Sequence, residues 1–455
     1  MSGLPRILIG APRSGAGKTL VTCALLQALK ERKKRVVSFK CGPDYIDPMF
    51  HREALGIDSD NLDSYFCSEQ EVRNLLAEKE RDYEMAVIEG VMGYYDGLGG
   101  ITCQASTYEI ARITRTPAIL VVDGRGASLS LLPLVQGFQK FREDSQIKGV
   151  LFNRISPSIY PLLKETLERE TGLLAYGYLP MLEEGVLESR HLGLKLPWEA
   201  PDFPKRLKKL AEKLEETVDI DGILELAEGA PKLEIKEKQE EKPQSGSLRI
   251  AAAKDEAFCF CYPDNLRFLE ERGAVVIPFS PLHDPHFPED VDGLLLYGGY
   301  PELHAKELSE NETMRQELQR AVTGGLPCMA ECGGFQYLME TMETEEGQRF
   351  PMAGVLKGES FPAGNRRFGY IELTGGRLFG KPAGTLRAHE FHYYDSTCCG
   401  EAFTARKPIS GRNWKCMIGE ETMLAGYPHL HYRGNPQVGE AFLYACRKYQ
   451  RGRNQ

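Results

Sequence analysis

The stretch Ile7–Leu26, ILIGAPRSGAGKTLVTCALL, decides the fold of the first half of this 455-residue chain. An apolar run leads into a glycine-rich turn and then into a helical pattern, which gives the order strand, loop, helix. Gly15 and Gly17 let the backbone approach an anion, and the N–H groups that begin the helix point at it. Lys18 adds a positive charge, and the Thr19 hydroxyl can coordinate Mg²⁺. The stretch predicts a phosphate-binding loop with ATP as its ligand.

This loop departs from the strict P-loop pattern. Pro12 stands at the position of the first glycine, and Gly10 lies two residues earlier. An ordinary strand-to-helix turn is the alternative interpretation. Because the strand, the later glycines, the lysine and the threonine all stand in register, nucleotide binding is favoured.

Short apolar runs alternate with helical patterns throughout this half. The predicted strands are RILIGA, RVVSFK, EMAVIEG, PAILVVD and KGVLFNR. Continuously apolar strands separated by helices are typical of an α/β fold, with a parallel sheet covered by helices on both faces. Ligands of such sheets bind in the loops at the carboxyl ends of the strands.

Two more of these strand ends carry acidic residues. SFKCGPDYIDPMFH contains Lys40, Asp44 and Asp47, and AVIEGVMGYYDG contains Glu89 and Asp96. Glu89 stands where a second ligand to Mg²⁺ is expected beside a nucleotide, and the three aspartates are candidates for contacts to that nucleotide. Any single acid could instead be a solvated loop residue or a turn former.

The composition changes in residues 224–247, which are charge-rich, contain Pro and Gly and have no aromatic residue. Such a segment cannot bury a core and is typical of a linker. We therefore predict an ATP-binding domain over residues 1–223, a charged linker over 224–247 and a second α/β domain over 248–455.

The second half contains PCMAECGGFQYL, in which Cys332 lies between a strand-like run and a helix-like run. A thiol at the start of a helix is expected to have a lowered pKa and an exposed sulfur, which favours a nucleophile. Gly333 can offer its N–H to an oxyanion, with Gly298 or Gly299 as the second donor. A packed, inert thiol is the alternative.

A thiolate nucleophile also needs a histidine. The downstream stretch AGYPHLHYRGNP offers His429 and His431. Side chains alternate along a strand, so these two face opposite sides and only one of them can point at the cysteine. HEFH at residues 389–392 does not have the spacing of H-E-x-x-H, which argues against a zinc site there.

Bulk properties exclude several classes of function. The formal net charge of −9 and pI near 5.7 argue against nucleic-acid binding. The sequence lacks an apolar run of membrane-spanning length and a signal-peptide layout, so we expect a cytoplasmic protein that does not bind membranes. The twelve cysteines are expected to be reduced there.

Six motifs follow one another along the chain: SGAGKT, KCGPDYIDPMFH, EGVMGYYDG, AECGGFQYL, HEFHYYDS and HLHYRGNP. With these motifs in this order, the sequence resembles the cobyrinic acid a,c-diamide synthases along nearly its whole length. The sister family, cobyric acid synthase, lacks the GPDYIDP and HEFHY forms and fits less well. The resemblance implies a dethiobiotin-synthetase-like amidoligase domain followed by a class I glutamine amidotransferase domain. The implied reaction is the ATP- and glutamine-dependent amidation of the a and c acetate carboxylates of a corrin.

The resemblance also implies roles for particular residues. Cys332 is the implied nucleophile and His431 the implied residue that raises its nucleophilicity. The acids at the strand ends are implied on the metal, nucleotide and carboxylate side: Asp44, Asp47, Glu89 and Asp96. Class I triads usually have an acid two residues after the histidine, but Tyr432 and Arg433 follow His431 here, so the third member is absent or replaced.

Several alternatives stay open at the level of sequence. The same chemistry on hydrogenobyrinate or nickel sirohydrochlorin fits the motifs equally well. A P-loop ATPase with a non-catalytic C-terminal module is a rival from another class. The partners expected are a corrin polycarboxylate and glutamine. The sequence leaves open both a homodimer and the order of the two amidations.

Overall fold

The computed structural model describes residues 3–182, 189–190, 193–194, 202–235 and 247–453. The chain divides into two compact units, Met1–Glu237 and Lys238–Gln455. Among the described residues, no helix combines the length and the apolar character that crossing a membrane requires.

The first unit is built on a seven-stranded sheet in which every strand is parallel to its neighbours. The order of the strands across the sheet is β3-β2-β4-β1-β5-β6-β7. The strands are β1 Arg6–Gly10, β2 Val36–Cys41, β3 Ser59–Leu62, β4 Met85–Glu89, β5 Ala118–Asp123, β6 Ile147–Asn153 and β7 Leu174–Leu179. The parallel α/β fold and the five strands expected from apolar runs are confirmed, whereas β3 and β7 were not predicted.

The helices of this unit lie between and after the strands. They are α1 Lys18–Glu31, α2 Ile46–Met49, α3 Glu69–Ala77, α4 Thr107–Thr114, α5 Leu131–Lys140, α6 Tyr160–Thr171, α7 Phe203–Thr217 and α8 Ile220–Glu228. A short π-helix spans Phe50–Ala54, and 3₁₀ turns span Glu78–Arg81 and Leu98–Gly100. β8 Ser189–Arg190 pairs antiparallel with β9 Gly193–Leu194.

Helix α8 continues past residue 224, where the sequence predicted the linker to begin. Ile220, Ile223 and Ala227 are buried, and this spacing places them on one face of the helix. The apolar face therefore keeps the chain helical to Glu228. Residues 236–246 of the predicted linker lie outside the described residues.

The second unit contains two larger sheets. The first has the order β11-β10-β12-β13-β23-β22, and its pairs are parallel except the last. The second has the path β15-β14-β16-β19-β24, with β20 on β16 and β21 on β20. The strands are β10 Leu248–Ala253, β11 Ala274–Phe279, β12 Gly293–Leu296, β13 Cys328–Glu331, β14 Met339–Glu343, β15 Arg349–Pro351, β16 Leu356–Gly375, β17 Arg377–Leu378, β18 Lys381–Pro382, β19 Leu386–Ser396, β20 Phe403–Arg406, β21 Asn413–Cys416, β22 Ile418–Gly419, β23 Met423–Gly426 and β24 His429–Leu430.

The helices of this unit are α9 Pro263–Glu270, α10 Ala305–Glu310, α11 Glu312–Thr323, α12 Gly333–Tyr337 and α13 Pro436–Arg453, with a 3₁₀ turn at Pro301–His304. The parallel strands β12, β13 and β23 are neighbours. Their carboxyl ends therefore meet at one edge of the sheet, which brings together the loops that follow them.

Candidate active site

The phosphate loop of the first unit joins β1 to α1. Gly15 and Gly17 have φ angles of 75° and 101°, in the left-handed region that favours glycine. A Cβ added to Gly17 would lie 2.1 Å from Asn153 Nδ2, and the same amide donates to the carbonyl of Ala16 at 2.8 Å. The end of β6 thus holds the loop, and Gly17 leaves room for that contact.

Lys18 begins the helix after this loop and is buried. Its ammonium donates to the carbonyl of Met92, in the loop that follows β4. That second loop is tied to the first because Tyr94 N–H donates to Ala11 O at 2.8 Å. Burial and the nearby charge of Lys40 lower the pKa of Lys18 to about 8.

Four side chains converge beside Lys18 at the ends of β2 and β4. The Thr19 hydroxyl donates to Glu89 Oε1 at 2.6 Å and lies 3.4 Å from Asp47 Oδ2. Lys40 Nζ donates to Glu89 Oε1 at 2.9 Å and also to the carboxylate of Asp47. The structure therefore brings Thr19, Asp47 and Glu89 together and places a lysine among them.

A histidine completes the surroundings of Glu89. His51 Nε2 lies 3.4 Å from Glu89 Oε2, and its Nδ1 lies 2.8 Å from Ser38 Oγ. Burial opposes ionisation of Glu89, but Lys40 and His51 hold the pKa of this carboxyl below its usual range. Glu89 is thus a buried carboxylate that is kept ionised by two neighbouring groups.

The other two predicted acids bond to their own loops. Asp44 Oδ1 accepts from the N–H groups of Ile46 at 2.8 Å and of Asp47 at 3.4 Å. Asp96 Oδ2 accepts from Gly93 N–H at 3.0 Å and is close enough to favour the charge on Lys18. These contacts hold the two loops in shape, as turn-forming aspartates do.

Cys332 in the second unit occupies a strained turn between β13 and α12. Its φ and ψ are 48° and −109°, and its N–H donates to Gly426 O at 2.8 Å. A positive φ at a non-glycine residue costs roughly 1–3 kcal/mol and is found most often at functional sites. The turn is the sharp strand-to-helix corner that the sequence predicted.

The expected exposure and lowered pKa of this thiol are wrong. Cys332 is only 4% exposed, and burial raises the pKa of its thiol, with the charge of Glu302 acting in the same direction. The Gly333 N–H acts against this rise, but α12 has only five residues and cannot offset burial. A raised pKa favours the protonated thiol, so a nucleophilic role for Cys332 requires a base.

The predicted oxyanion donors lie beside the cysteine. A Cβ added to Gly333 would lie 3.1 Å from the backbone N of Gly299 and 2.7 Å from Pro301 Cδ. The backbone of Gly299 therefore lies close to Gly333. Of the two glycines considered as second donor, Gly299 is the one that this contact favours.

The two candidate histidines have different surroundings. A Cβ added to Gly298 would lie 2.6 Å from His429 Cε1 and 3.4 Å from Cys332 Cβ, so both side chains border the same small space. His429 Nδ1 also lies 3.5 Å from Glu331 Oε2. This places the imidazole of His429 next to the cysteine.

His431 points to a different part of the unit. Its Nε2 lies 3.7 Å from Asp264 Oδ2, and its ring meets that of Tyr262 edge-on at 5.2 Å. Asp264 also accepts from Arg433 Nε at 3.3 Å. These contacts place His431 in a buried ionic network at the start of α9, and the alternation expected for the two histidines explains why they differ.

Comparison with known proteins agrees with this division into two sites. Residues 7–192 match the model of the CobQ/CobB/MinD/ParA nucleotide-binding domain, and residues 249–437 match the CobB/CobQ-like glutamine amidotransferase domain. Proteins named cobyrinate a,c-diamide synthase match almost end to end. The one from Listeria innocua is 39% identical over 95% of this chain and 97% of its own length. Those from Caldanaerobacter subterraneus and Salmonella typhimurium are 36% and 38% identical over 98% and 97% of this chain, and over 99% and 98% of their own lengths.

The chain belongs to the cobyrinate a,c-diamide synthase family. The resemblance stated from the sequence motifs is confirmed. The phosphate loop lies in the nucleotide-binding domain of the family, and Cys332 and His429 lie in its amidotransferase domain. As a family member with such a domain, the chain is a glutamine-dependent ligase that forms amide bonds.

Some residues of these sites were not assigned from the sequence. Lys40 was noted in its motif but given no role, although a lysine inside a buried strand is itself unusual. Asp123, at the end of β5, lies 3.1 Å from Arg13 and 3.2 Å from Arg154. Arg154 Nη1 donates to Gly15 O at 3.0 Å, so the ion pair of Asp123 and Arg154 borders the phosphate loop.

Proposed function

We propose that this protein is a cobyrinate a,c-diamide synthase, which uses ATP and glutamine to amidate the a and c acetate carboxylates of cobyrinate in cobalamin biosynthesis. The observation that carries the proposal is the strained, base-flanked Cys332 in the amidotransferase domain of a chain that also has a phosphate loop. Near full-length similarity to proteins of that name supports the substrate.

The glutamine half of the reaction takes place at Cys332. His429 accepts the thiol proton, and the sulfur attacks the carboxamide carbon of glutamine. The N–H groups of Gly299 and Gly333 hold the oxyanion that forms. His429 returns the proton to the departing ammonia, and water then releases glutamate from the thioester.

The other half takes place at the phosphate loop. A corrin acetate attacks the γ-phosphorus of ATP and becomes an acyl phosphate, and ADP leaves. Ammonia then attacks the acyl carbon and phosphate departs, which leaves the amide. Gly15, Gly17 and Lys18 bind the phosphates of the nucleotide, and Lys40 supplies a second positive charge beside them.

The cluster at Thr19 fits Mg²⁺. The Thr19 hydroxyl lies within hydrogen-bonding distance of the carboxylates of Asp47 and Glu89, and oxygen is the ligand that Mg²⁺ prefers. Thr19 and Glu89 would hold the ion, with Asp47 beside them. Bound there with ATP, it would neutralise phosphate charge. We place the protein in the cytoplasm, where its twelve cysteines are expected to stay reduced.

The function is tested by supplying the purified protein with ATP, glutamine and one of three tetrapyrroles: cobyrinate, hydrogenobyrinate or nickel sirohydrochlorin. We expect a product that is lighter than cobyrinate by the mass difference between two carboxylic acids and two amides. Glutamate and ADP should form in proportion to the amide groups made. Turnover confined to another tetrapyrrole would overturn the substrate, and ATP hydrolysis without amide formation would favour the non-ligase alternative.

The choice between the two histidines is tested by a matched pair of alanine variants. His429→Ala should lower the kcat for glutamate release from glutamine by about 10²-fold or more, because the base beside the thiol is lost. His431→Ala should leave that kcat within about threefold if the protein folds. Thermal melting curves of both variants control for stability, and the reverse pattern would restore His431 as the catalytic histidine.

A further inference from the structure

We propose that Glu331 is the positioning residue of His429 and replaces the acid that class I triads place two residues after the histidine. The inference rests on the proposed function, because it requires Cys332 to act as the nucleophile and His429 as its base. In this arrangement the acid comes directly before the nucleophile in the sequence.

The geometry around Glu331 supports this role. Its side chain is buried, with 4% of the residue exposed. Oε2 lies 3.5 Å from His429 Nδ1, while Oε1 accepts from the N–H of Leu430 at 3.3 Å. The two oxygens therefore face two consecutive residues of β24, one at its imidazole and the other at its backbone N–H.

Regular strands fix both ends of this contact. Glu331 is the last residue of β13 and pairs with Gly426 of β23. His429 is in β24 and pairs with His389 of β19. A carboxylate and an imidazole that are both anchored on strands keep their relative orientation, as the members of a catalytic triad must.

The contact also has a chemical consequence. With Nδ1 directed to Glu331, Nε2 is the nitrogen that takes the proton of Cys332 Sγ, which forms a thiolate and an imidazolium. A buried imidazolium without a partner is unfavourable, and the Glu331 carboxylate stabilises it. Burial raises the pKa of Glu331, whereas His429 and the N–H of Leu430 favour its ionised form.

Asp264, the carboxylate beside the other histidine, is less suited to this task. It accepts from Arg433 Nε at 3.3 Å and from Arg267 Nη2 at 3.2 Å, so its charge is already balanced by two guanidinium groups. Its Oδ2 lies 3.7 Å from Nε2 of His431. Of these two acids, Glu331 is the one placed to act on the thiol through His429.

The test is steady-state release of glutamate by the full chain carrying Glu331→Gln. We expect kcat to fall about 10²-fold, with the KM for glutamine nearly unchanged, because the amide keeps the shape but loses the charge. Glu331→Gln added to His429→Ala should cause no further loss, since residues that act as a unit are not additive. Amidation from ammonium chloride should stay at the wild-type rate in each variant.

The matched control is Glu343→Gln, which removes a carboxylate from the last residue of β14 and should leave kcat unchanged. Glu331→Asp retracts the carboxylate without removing it and should give an intermediate kcat. The inference is overturned if Glu331→Gln keeps wild-type kcat, or if its effect multiplies with that of His429→Ala. If Cys332→Ala also released glutamate normally, the proposed function itself would fail, so the two failures are distinguishable.

Discussion

Cys332→Ala is expected to abolish amidation from glutamine and to leave amidation from ammonium salts intact. The variant removes the sulfur that would bond to the glutamine carbon, so glutamate release should fall by at least about 10³-fold. The phosphate loop and the Glu89 carboxylate that contacts Thr19 belong to the other unit, so the substitution leaves their contacts unchanged. Saturating ammonium chloride should therefore restore the formation of the diamide from the tetrapyrrole and ATP.

A second buried thiol provides the control for this substitution. Cys328 begins β13, the strand that ends just before Cys332, and it is fully buried. Cys328→Ala removes a sulfur from the same strand and should keep its glutamine-dependent activity, apart from a modest loss of stability. Persistent glutamate release by Cys332→Ala, or its equal loss in Cys328→Ala, would contradict the assignment of the nucleophile.

The main strands could be predicted because burial on both faces gives an apolar run with no alternation. β4, MAVIE, and β5, AILVVD, are examples, whereas the order of the strands across the sheet, β3-β2-β4-β1-β5-β6-β7, was not predicted. β3 was missed because its sequence is SDNL, in which only the last residue is apolar. Its polar side chains are satisfied by tertiary contacts, such as Ser59 Oγ to Ser38 Oγ at 2.7 Å, which no local pattern reveals.

The geometry of the two turns was predictable because spacing alone carries that information. Gly15, Gly17, Lys18 and Thr19 needed only the loop pattern, and the turn at Cys332 needed only the glycines after it. The choice of histidine could not be made from the residues, since alternation shows that the two differ but not which one faces the thiol. That depends on how β24 is placed by its pairing with β19, a contact between distant parts of the chain.

The direction of the pKa shift of the Cys332 thiol could likewise not be predicted from the sequence. A cysteine at a helix start is expected to be acidic, but burial and the charge of Glu302 outweigh the short α12. A raised pKa calls for a base beside the thiol, which is the role proposed for His429 with Glu331 next to it.

Lys18→Ala is expected to abolish amidation from both nitrogen sources, because neither route can proceed without the acyl phosphate. The variant loses the charge that faces the nucleotide phosphates, and ATP affinity should fall by about 10²-fold or more. Lys30→Ala, on the exposed face of the same helix α1, is the matched control and should bind ATP normally. Isothermal titration calorimetry measures both affinities.

The same titration can show, through the protons taken up on binding, that Lys18 is the residue that contacts the phosphates. The pKa of Lys18 is lowered to about 8 in the free protein, and an adjacent phosphate anion raises it again. Above a pH of about 8, nucleotide binding should therefore take up a proton, seen as a binding enthalpy that varies with the ionisation enthalpy of the buffer. The uptake should vanish near pH 6.5, where the amine is already charged, and at every pH in Lys18→Ala. Because this reports on one amine, normal uptake by the alanine variant would show that another group meets the phosphates, even if activity were lost.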